Sequence, residues 1–311
     1  MINEIKYADR EAWLALRQNY IGGSDAGAVI GMNPYKSAYT LWAEKTGKVE
    51  AFSGNLTTTV GAYLEDLVAK LFSEETGKKV QRKNRMLVND KYPFAAANLD
   101  RVVVGEKAFL EIKTTTSVPI IKSLRRSGEE FPEQYYAQCV HYLAVTGLEK
   151  CYLAVLINCR ELKTYEMSRD EDEIAALMQA EETFWQCVER NEPPAVDGSS
   201  SCSETLADMY PGGGEGTVDL MPIASALEGY AELGDRIKVL KNEQDRIGNM
   251  IKEALGNQER GECEGFRVSW TSGTRSSFDA KALAAAHPEL DLKPFYKTTA
   301  TRTLRVKETT A

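Results

Sequence analysis

Asp100, Glu111 and Lys113 are the residues whose types and spacing point most directly to chemistry. They lie between Asn98 and Lys113, where alternating apolar residues mark two strands and Gly105-Glu106-Lys107 supplies a tight turn. Asp100, at the start of the first strand, then sits beside Glu111 and Lys113 at the end of the second. Two carboxylates held this close repel each other unless a divalent cation lies between them. Residues two apart on a strand share a face, so Lys113 joins the pair. Hard oxygen ligands without a His or Cys cluster select Mg²⁺ or Mn²⁺ over zinc.

A second candidate site is Ile21-Gly22-Gly23-Ser24-Asp25. Ser24 or Asp25 suits the N-cap of a helix over Ala26–Ile30, and Gly22-Gly23 lets the backbone approach a ligand. Free amides at a helix start favour a phosphate, and Arg17 adds a forked donor from the preceding helix. The alternative is that the glycines only turn the chain between packed helices. No buried strand is expected before them, so the string is no dinucleotide fingerprint.

The elements that must position these groups follow from periodicity. Helical spacing predicts helices over Asp9–Arg17, Ser37–Gly47 and Thr58–Thr76, the last with Val60, Leu64, Leu67, Val68 and Leu71 as its apolar stripe and Glu65 beside it. Strand-like residues Lys79–Val88 lead into the hairpin. A helix over Glu133–Thr146 carries Gln138, strands follow at Cys151–Ile157 and Glu161–Met167, and an acidic helix spans Asp170–Asn191. This order predicts an α/β fold, a mixed central sheet flanked by helices, over residues 1–197. Gly- and Ser-rich sequence predicts a flexible linker over 198–218. Residues 219–311 form an accessory region: one long amphipathic helix over Ile223–Leu255, then strands at Gly265–Thr271 and Thr298–Val306 bracketing a helix at Asp279–Ala286, a small β/α unit. The long helix is expected to serve packing or oligomerisation.

Composition narrows the function classes. A hydrophobic fraction of 43% and a charged fraction of 27% over 311 residues are ordinary for a globular chain of more than one core. Neither a membrane-length apolar run nor a basic and apolar leader is seen, so a reducing, cytoplasmic setting is expected. The 6 cysteines are scattered without a C-x-x-C pair and, like His141, are read as core residues rather than metal ligands. The net charge of −8 argues weakly against nonspecific nucleic-acid binding. Basic runs at Lys78–Arg85 and Lys122–Arg126 nevertheless flank the hairpin, where a polyanion would lie. Paired carboxylates also suit a glycoside hydrolase, but a Lys beside Glu111 promotes ionisation where a protonated acid is needed.

Arg17 and Ser24 around Ile21-Gly22-Gly23-Ser24-Asp25, then Gly61-Ala62-Tyr63-Leu64-Glu65, Asn98-Leu99-Asp100, Leu110-Glu111-Ile112-Lys113 and Tyr135-Tyr136-Ala137-Gln138, appear in one order with compatible spacing. Together, over roughly residues 7–195, they resemble the YqaJ viral recombinase family, which is similar to phage lambda exonuclease within the PD-(D/E)XK nuclease superfamily. Leu99 stands where the superfamily name calls for Pro. The resemblance implies a restriction-endonuclease-like core in which Asp100, Glu111 and the carbonyl of Ile112 hold Mg²⁺ or Mn²⁺. Glu65 completes the metal shell, Lys113 positions and helps deprotonate the attacking water, and Gln138 lies beside the site. It further implies that Arg17 and Ser24 grip a terminal 5′ phosphate, that double-stranded DNA is digested from 5′ to 3′ in phage or prophage recombination, and that a single-strand annealing protein is the partner. A homotrimer in the bacterial host cytoplasm is the expected assembly. An endonuclease on the same fold and a non-catalytic DNA-binding or assembly module are the competing readings.

Overall fold

The computed structural model describes residues 1–128, 130–297 and 302–307. Two compact units divide the chain at Pro211 and Gly212.

The first unit runs β1 (Ile2–Ile5), α1 (Arg10–Arg17), β2 (Ile21–Gly22), α2 (Gly23–Val29), α3 (Ala38–Lys45), α4 (Leu56–Thr76), β3 (Val80–Gln81), β4 (Met86–Asn89), β5 (Tyr92–Ala97), β6 (Arg101–Val103), β7 (Ala108–Thr115), α5 (Val118–Ser127), α6 (Glu133–Thr146), β8 (Lys150–Ile157), β9 (Glu161–Ser168), α7 (Glu171–Arg190) and α8 (Ser200–Met209). A five-stranded mixed sheet in the order β3-β6-β7-β8-β9 and a four-stranded sheet in the order β1-β4-β5-β2 share it. The expected mixed α/β class is therefore realised with two sheets. Lys79–Val88 does not form one strand: β3 joins the first sheet and β4 the second, and β5 adds a strand that its Ala-rich sequence hides.

Strand β7 pairs parallel with β8 along its whole length and antiparallel with β6. A strand in the middle of such a sheet is covered on both faces and needs a near-continuous apolar run. Val103, Leu110 and Ile112 pack with Val68 and Phe72 of α4 on one face. Phe109 faces α6 on the other, edge-on to Tyr142 at 5.8 Å between ring centroids. The stripe of α4 is rotated from the expected one: Val68, Ala69 and Phe72 are buried, whereas Val60 and Leu67 stand exposed. Phe72 lies four residues after Val68 and three after Ala69, which puts these three on one face with Leu64 packed against it.

The stretch 198–218, expected as a linker, holds α8 in its first half. Ser199 caps this helix by accepting from the Cys202 amide, Cys202 is fully buried, and Ser201 and Thr205 bond to Ser37 and Thr40 at the start of α3. Small hydroxyl residues here make tertiary contacts, which their composition alone reads as loop. Of the cysteines, Cys139, Cys151 and Cys202 are core residues as expected, while Cys159 and Cys263 are exposed.

The second unit holds α9 (Ala224–Leu255), an antiparallel hairpin of β10 (Arg260–Cys263) and β11 (Phe266–Ser269), and α10 (Ala280–Ala286). The strand expected at Thr298–Val306 lies partly outside the described residues, and the described segment 302–307 is not a strand.

Candidate active site

The hairpin register sets the site. Arg101 pairs with Leu110 and Val102 with Phe109, so the same register brings Asp100, the residue before β6, across from Glu111. Asp100 Oδ2 accepts from the Ile112 amide at 2.8 Å, which fixes the carboxylate against the main chain of β7. Gly105, at φ +85°, makes the turn that an L side chain would resist.

Phe109, Glu111 and Lys113 alternate onto the α6 face of β7. Lys113 Nζ donates to Glu111 Oε1 at 2.6 Å and to Gln138 Oε1 at 3.0 Å, while Gln138 Nε2 donates to Glu111 Oε1 at 2.6 Å. Gln138 and Tyr142 lie one helical turn apart, and Gln138 Nε2 also reaches the Tyr142 hydroxyl at 3.3 Å. Tyr135 places its ring 5.8 Å from Lys113 Nζ.

The charges in this network are strained. Burial and the neighbouring Glu111 push the Asp100 carboxyl well above the usual range; burial raises Glu111 too, with Lys113 pulling the other way. Burial pulls Lys113 down, but Glu111 and Asp100 outweigh it and hold it above the ordinary lysine value. With protein charges alone Lys113 is thus a firm cation.

Glu111 is 2% exposed, and among the described residues its Oε2 has no hydrogen-bond partner. A buried carboxylate oxygen without a donor is costly unless a cation meets it. Two acids, a main-chain carbonyl and a polar cleft are a donor set that suits a hard divalent ion, which commonly keeps several waters and few carboxylates. No three acidic, His or Cys side chains among the described residues gather closely enough to hold a metal unaided. Glu65 lines the same cleft, with its carboxylate ion-paired with Arg101, which also bonds Asp66 at 2.7 Å.

The phosphate candidates meet in that cleft, of roughly 410 Å³, whose wall includes Arg17, Gly22, Gly23 and Ser24 as well as Asp100, Glu111, Lys113 and Gln138. Arg17 donates to Ser24 Oγ at 2.7 Å and lies over the Trp13 ring at 4.9 Å. The cap differs from expectation: Gly22 is the N-cap of α2, and Asp25 reaches back to the Gly22 amide at 3.1 Å. A two-residue strand, β2, made of the buried Ile21 and the half-buried Gly22, runs into the turn and pairs parallel with β5. Gly23 is required by packing, because a Cβ there would stand 2.4 Å from the Tyr142 ring.

Lys45, Arg101 and Tyr142 had no functional role on sequence grounds. Lys45 pairs with the buried Asp25 at 3.1 Å and donates to the carbonyls of Arg17 and Tyr20, tying α3 to the end of α1 and to α2. Only Tyr142 carried a signal, its spacing of four from Gln138. The basic run Lys78–Arg85 is largely spent on neighbours: Lys78 pairs with Glu106, Arg82 with Asp66, and Lys83 and Arg85 with Glu4. Arg82 and Lys83 still line the cleft.

The YqaJ-like viral recombinase domain matches residues 12–149, a span that contains the whole carboxylate, amine and amide constellation. The uncharacterized protein YqaJ of Bacillus subtilis (strain 168) is 36% identical over 287 residues, covering 90% of this chain and 89% of that one. The chain belongs to the YqaJ family. Among solved structures, the alkaline exonuclease LHK-Exo of Laribacter hongkongensis aligns at 20% identity with a TM-score of 0.49, over 58% of this chain and 94% of its own. LHK-Exo in complex with dAMP aligns at 21% identity with a TM-score of 0.50, over the same shares of the two chains. The likeness to LHK-Exo in complex with dAMP gives the part of the YqaJ-family chain that it covers the fold of that exonuclease. Among its described residues, no helix is long and apolar enough to cross a membrane.

Proposed function

We propose that this YqaJ-family chain is a divalent-metal-dependent nuclease that hydrolyses the phosphodiester bonds of double-stranded DNA from a 5′ end, in phage or prophage recombination. One observation carries the reading: Asp100 and Glu111 face each other across β6 and β7, Lys113 shares the face, and a buried Glu111 oxygen lacks a described donor. The family's description as a viral recombinase and the likeness to LHK-Exo in complex with dAMP support the same direction.

Asp100, Glu111 and the Ile112 carbonyl would hold Mg²⁺ or Mn²⁺, with Glu65 reaching the shell directly or through water once it leaves Arg101. A bound divalent ion neutralises charge on the phosphoryl oxygens and makes hydroxide available near neutral pH. The side chains do the remaining work. Lys113 offers Nζ protons to orient the attacking water, and Gln138, bonded to both Lys113 and Glu111, keeps that ammonium aimed into the cleft. Arg17, stacked on Trp13 and bonded to Ser24, presents a forked donor set suited to a terminal phosphate. Its place in the same cleft as Glu111 is what makes end recognition and cutting one event.

End dependence tests this reading. A linear duplex carrying 5′ phosphates should be degraded with Mg²⁺ while a covalently closed circle survives, and Arg17→Ala should erase the advantage of a 5′ phosphate over a 5′ hydroxyl. Cleavage of the circle would assign an endonuclease instead, and binding without cleavage a non-catalytic module.

A further inference from the structure

Among the described residues helix α9 has no core to face. Its 32 residues contain none that is buried, although Tyr230, Leu233, Ile237 and Leu240 lie 54%, 55%, 65% and 67% exposed along one line. Ile247 and Ile251 continue that line at 46% and 41%. Scattered exposed apolar residues are normal, but a stripe interrupted only by Gln244 along a helix about 48 Å long is not. Gly229, Gly234 and Gly248 add to the difficulty, each costing about 1 kcal/mol in a solitary helix. The stripe repeats in alternating steps of four and three from Ala226 through Tyr230, Leu233, Ile237, Leu240, Gln244, Ile247 and Ile251 to Ala254, a seam of paired helices.

The flanks of the seam choose both the occupant and its direction. Beside the seam stand Gly229, Arg236, Glu243 and Met250 on one side, and Leu227, Gly234, Lys241 and Gly248 on the other. Two parallel copies would set Arg236 against Lys241 and Gly229 against Gly234, which are a like-charge pair and a gap. Antiparallel copies pair like flank with like flank. Arg236 then meets Glu243 of the second copy twice, Gly229 receives Met250, and Gly248 receives Leu227. In the same register Ile237 packs on Leu240 and Tyr230 on Ile247, and nearly the full helix overlaps. Charge and size are therefore both self-complementary in one orientation.

We propose that α9 is a homotypic interface, which pairs antiparallel with α9 of a second copy of this chain and is stapled at its centre by two Arg236–Glu243 ion pairs. The inference stands apart from the nuclease reading and would hold for an inactive chain.

Sedimentation equilibrium of the full chain tests it. Wild type should sediment at the mass of at least two copies at micromolar concentration, and Leu240→Glu should weaken that association at least tenfold. Arg236→Glu, on the solvent-exposed flank and harmless to folding, should weaken it severalfold, and Arg236→Glu combined with Glu243→Arg should recover it to within about threefold of wild type. A wild-type monomer at tens of micromolar overturns the proposal, including one whose α9 amides resist hydrogen exchange, which would mean that the stripe is covered within one chain. Association indifferent to Leu240→Glu also overturns it. A double swap no stronger than Arg236→Glu alone overturns the antiparallel pairing.

Discussion

At the scale of the residue, the site keeps two acids where neither is comfortable. Burial raises both carboxyls and the neighbouring Glu111 raises Asp100 further, so the native state bears a cost that a function must justify. Asp100→Asn retains an oxygen for the Ile112 amide and removes the repulsion. The variant should melt higher than wild type in chelator, by about 0.5–2 kcal/mol of stability, while losing nuclease activity. Thermal unfolding in EDTA checks this, and an unchanged or lower melting point would mean that the pair is not strained. Lys113→Gln should lower cleavage by roughly 10²–10⁴ without displacing bound Mn²⁺, read by paramagnetic resonance beside a cleavage assay. The acids and the amine were legible in sequence because strand alternation and one turn glycine suffice to bring them together. From the residues alone Glu65 was legible only as a member of a helix, and its expected place in the metal shell came from the family resemblance. Its pairing with Arg101 depends on where β6 meets α4, which no local pattern encodes.

At the scale of the element, the site is built by helices pressed against strands at close range. Gly23 brings α2 onto Tyr142 of α6, and Gly23→Ala should destabilise the fold by about 1–3 kcal/mol and shift Ser24, weakening the preference for a 5′ phosphate. Denaturant midpoints and end-group competition measure the two effects. Helix α6 is also clamped to α7 and β5 through His141, fully buried, whose ring nitrogens face Glu181 at 2.8 Å and the Ala96 carbonyl at 3.0 Å. Burial pulls this imidazole down, but Glu181 and Ala96 outweigh it and leave the folded pKa above the ordinary 6.5. A raised folded pKa contributes stability that is complete below about 6.5 and is lost as pH rises through the folded value. The stability advantage of wild type over Glu181→Gln should therefore narrow from neutral pH upward, in guanidinium melts between pH 6 and 9. Helices with strong periodicity, α6 and α7 among them, were plain in the sequence to within a residue or two. The rotated stripe of α4, the Ala-rich β5 and the hydroxyl-rich α8 were not, because in each the burying contacts come from distant segments rather than from apolar repetition.

At the scale of the whole molecule, the first unit carries every residue of the candidate site and the second carries the exposed seam of α9. The net charge of −8 leaves DNA attraction to local placement. Arg17, Arg82 and Lys83 line the cleft, but Arg82 is paired with Asp66 and Lys83 with Glu4, so on the proposed reading these two must exchange partners to meet a phosphate. Release of acid-soluble nucleotides from a 5′-phosphorylated linear duplex, with Mg²⁺ and without, on wild type and Glu111→Gln, tests the central claim most directly. Wild type should degrade the duplex only when the cation is present, and Glu111→Gln, still folded, should release nothing above background. Degradation by Glu111→Gln at the wild-type rate, or by wild type in excess chelator, would contradict the account.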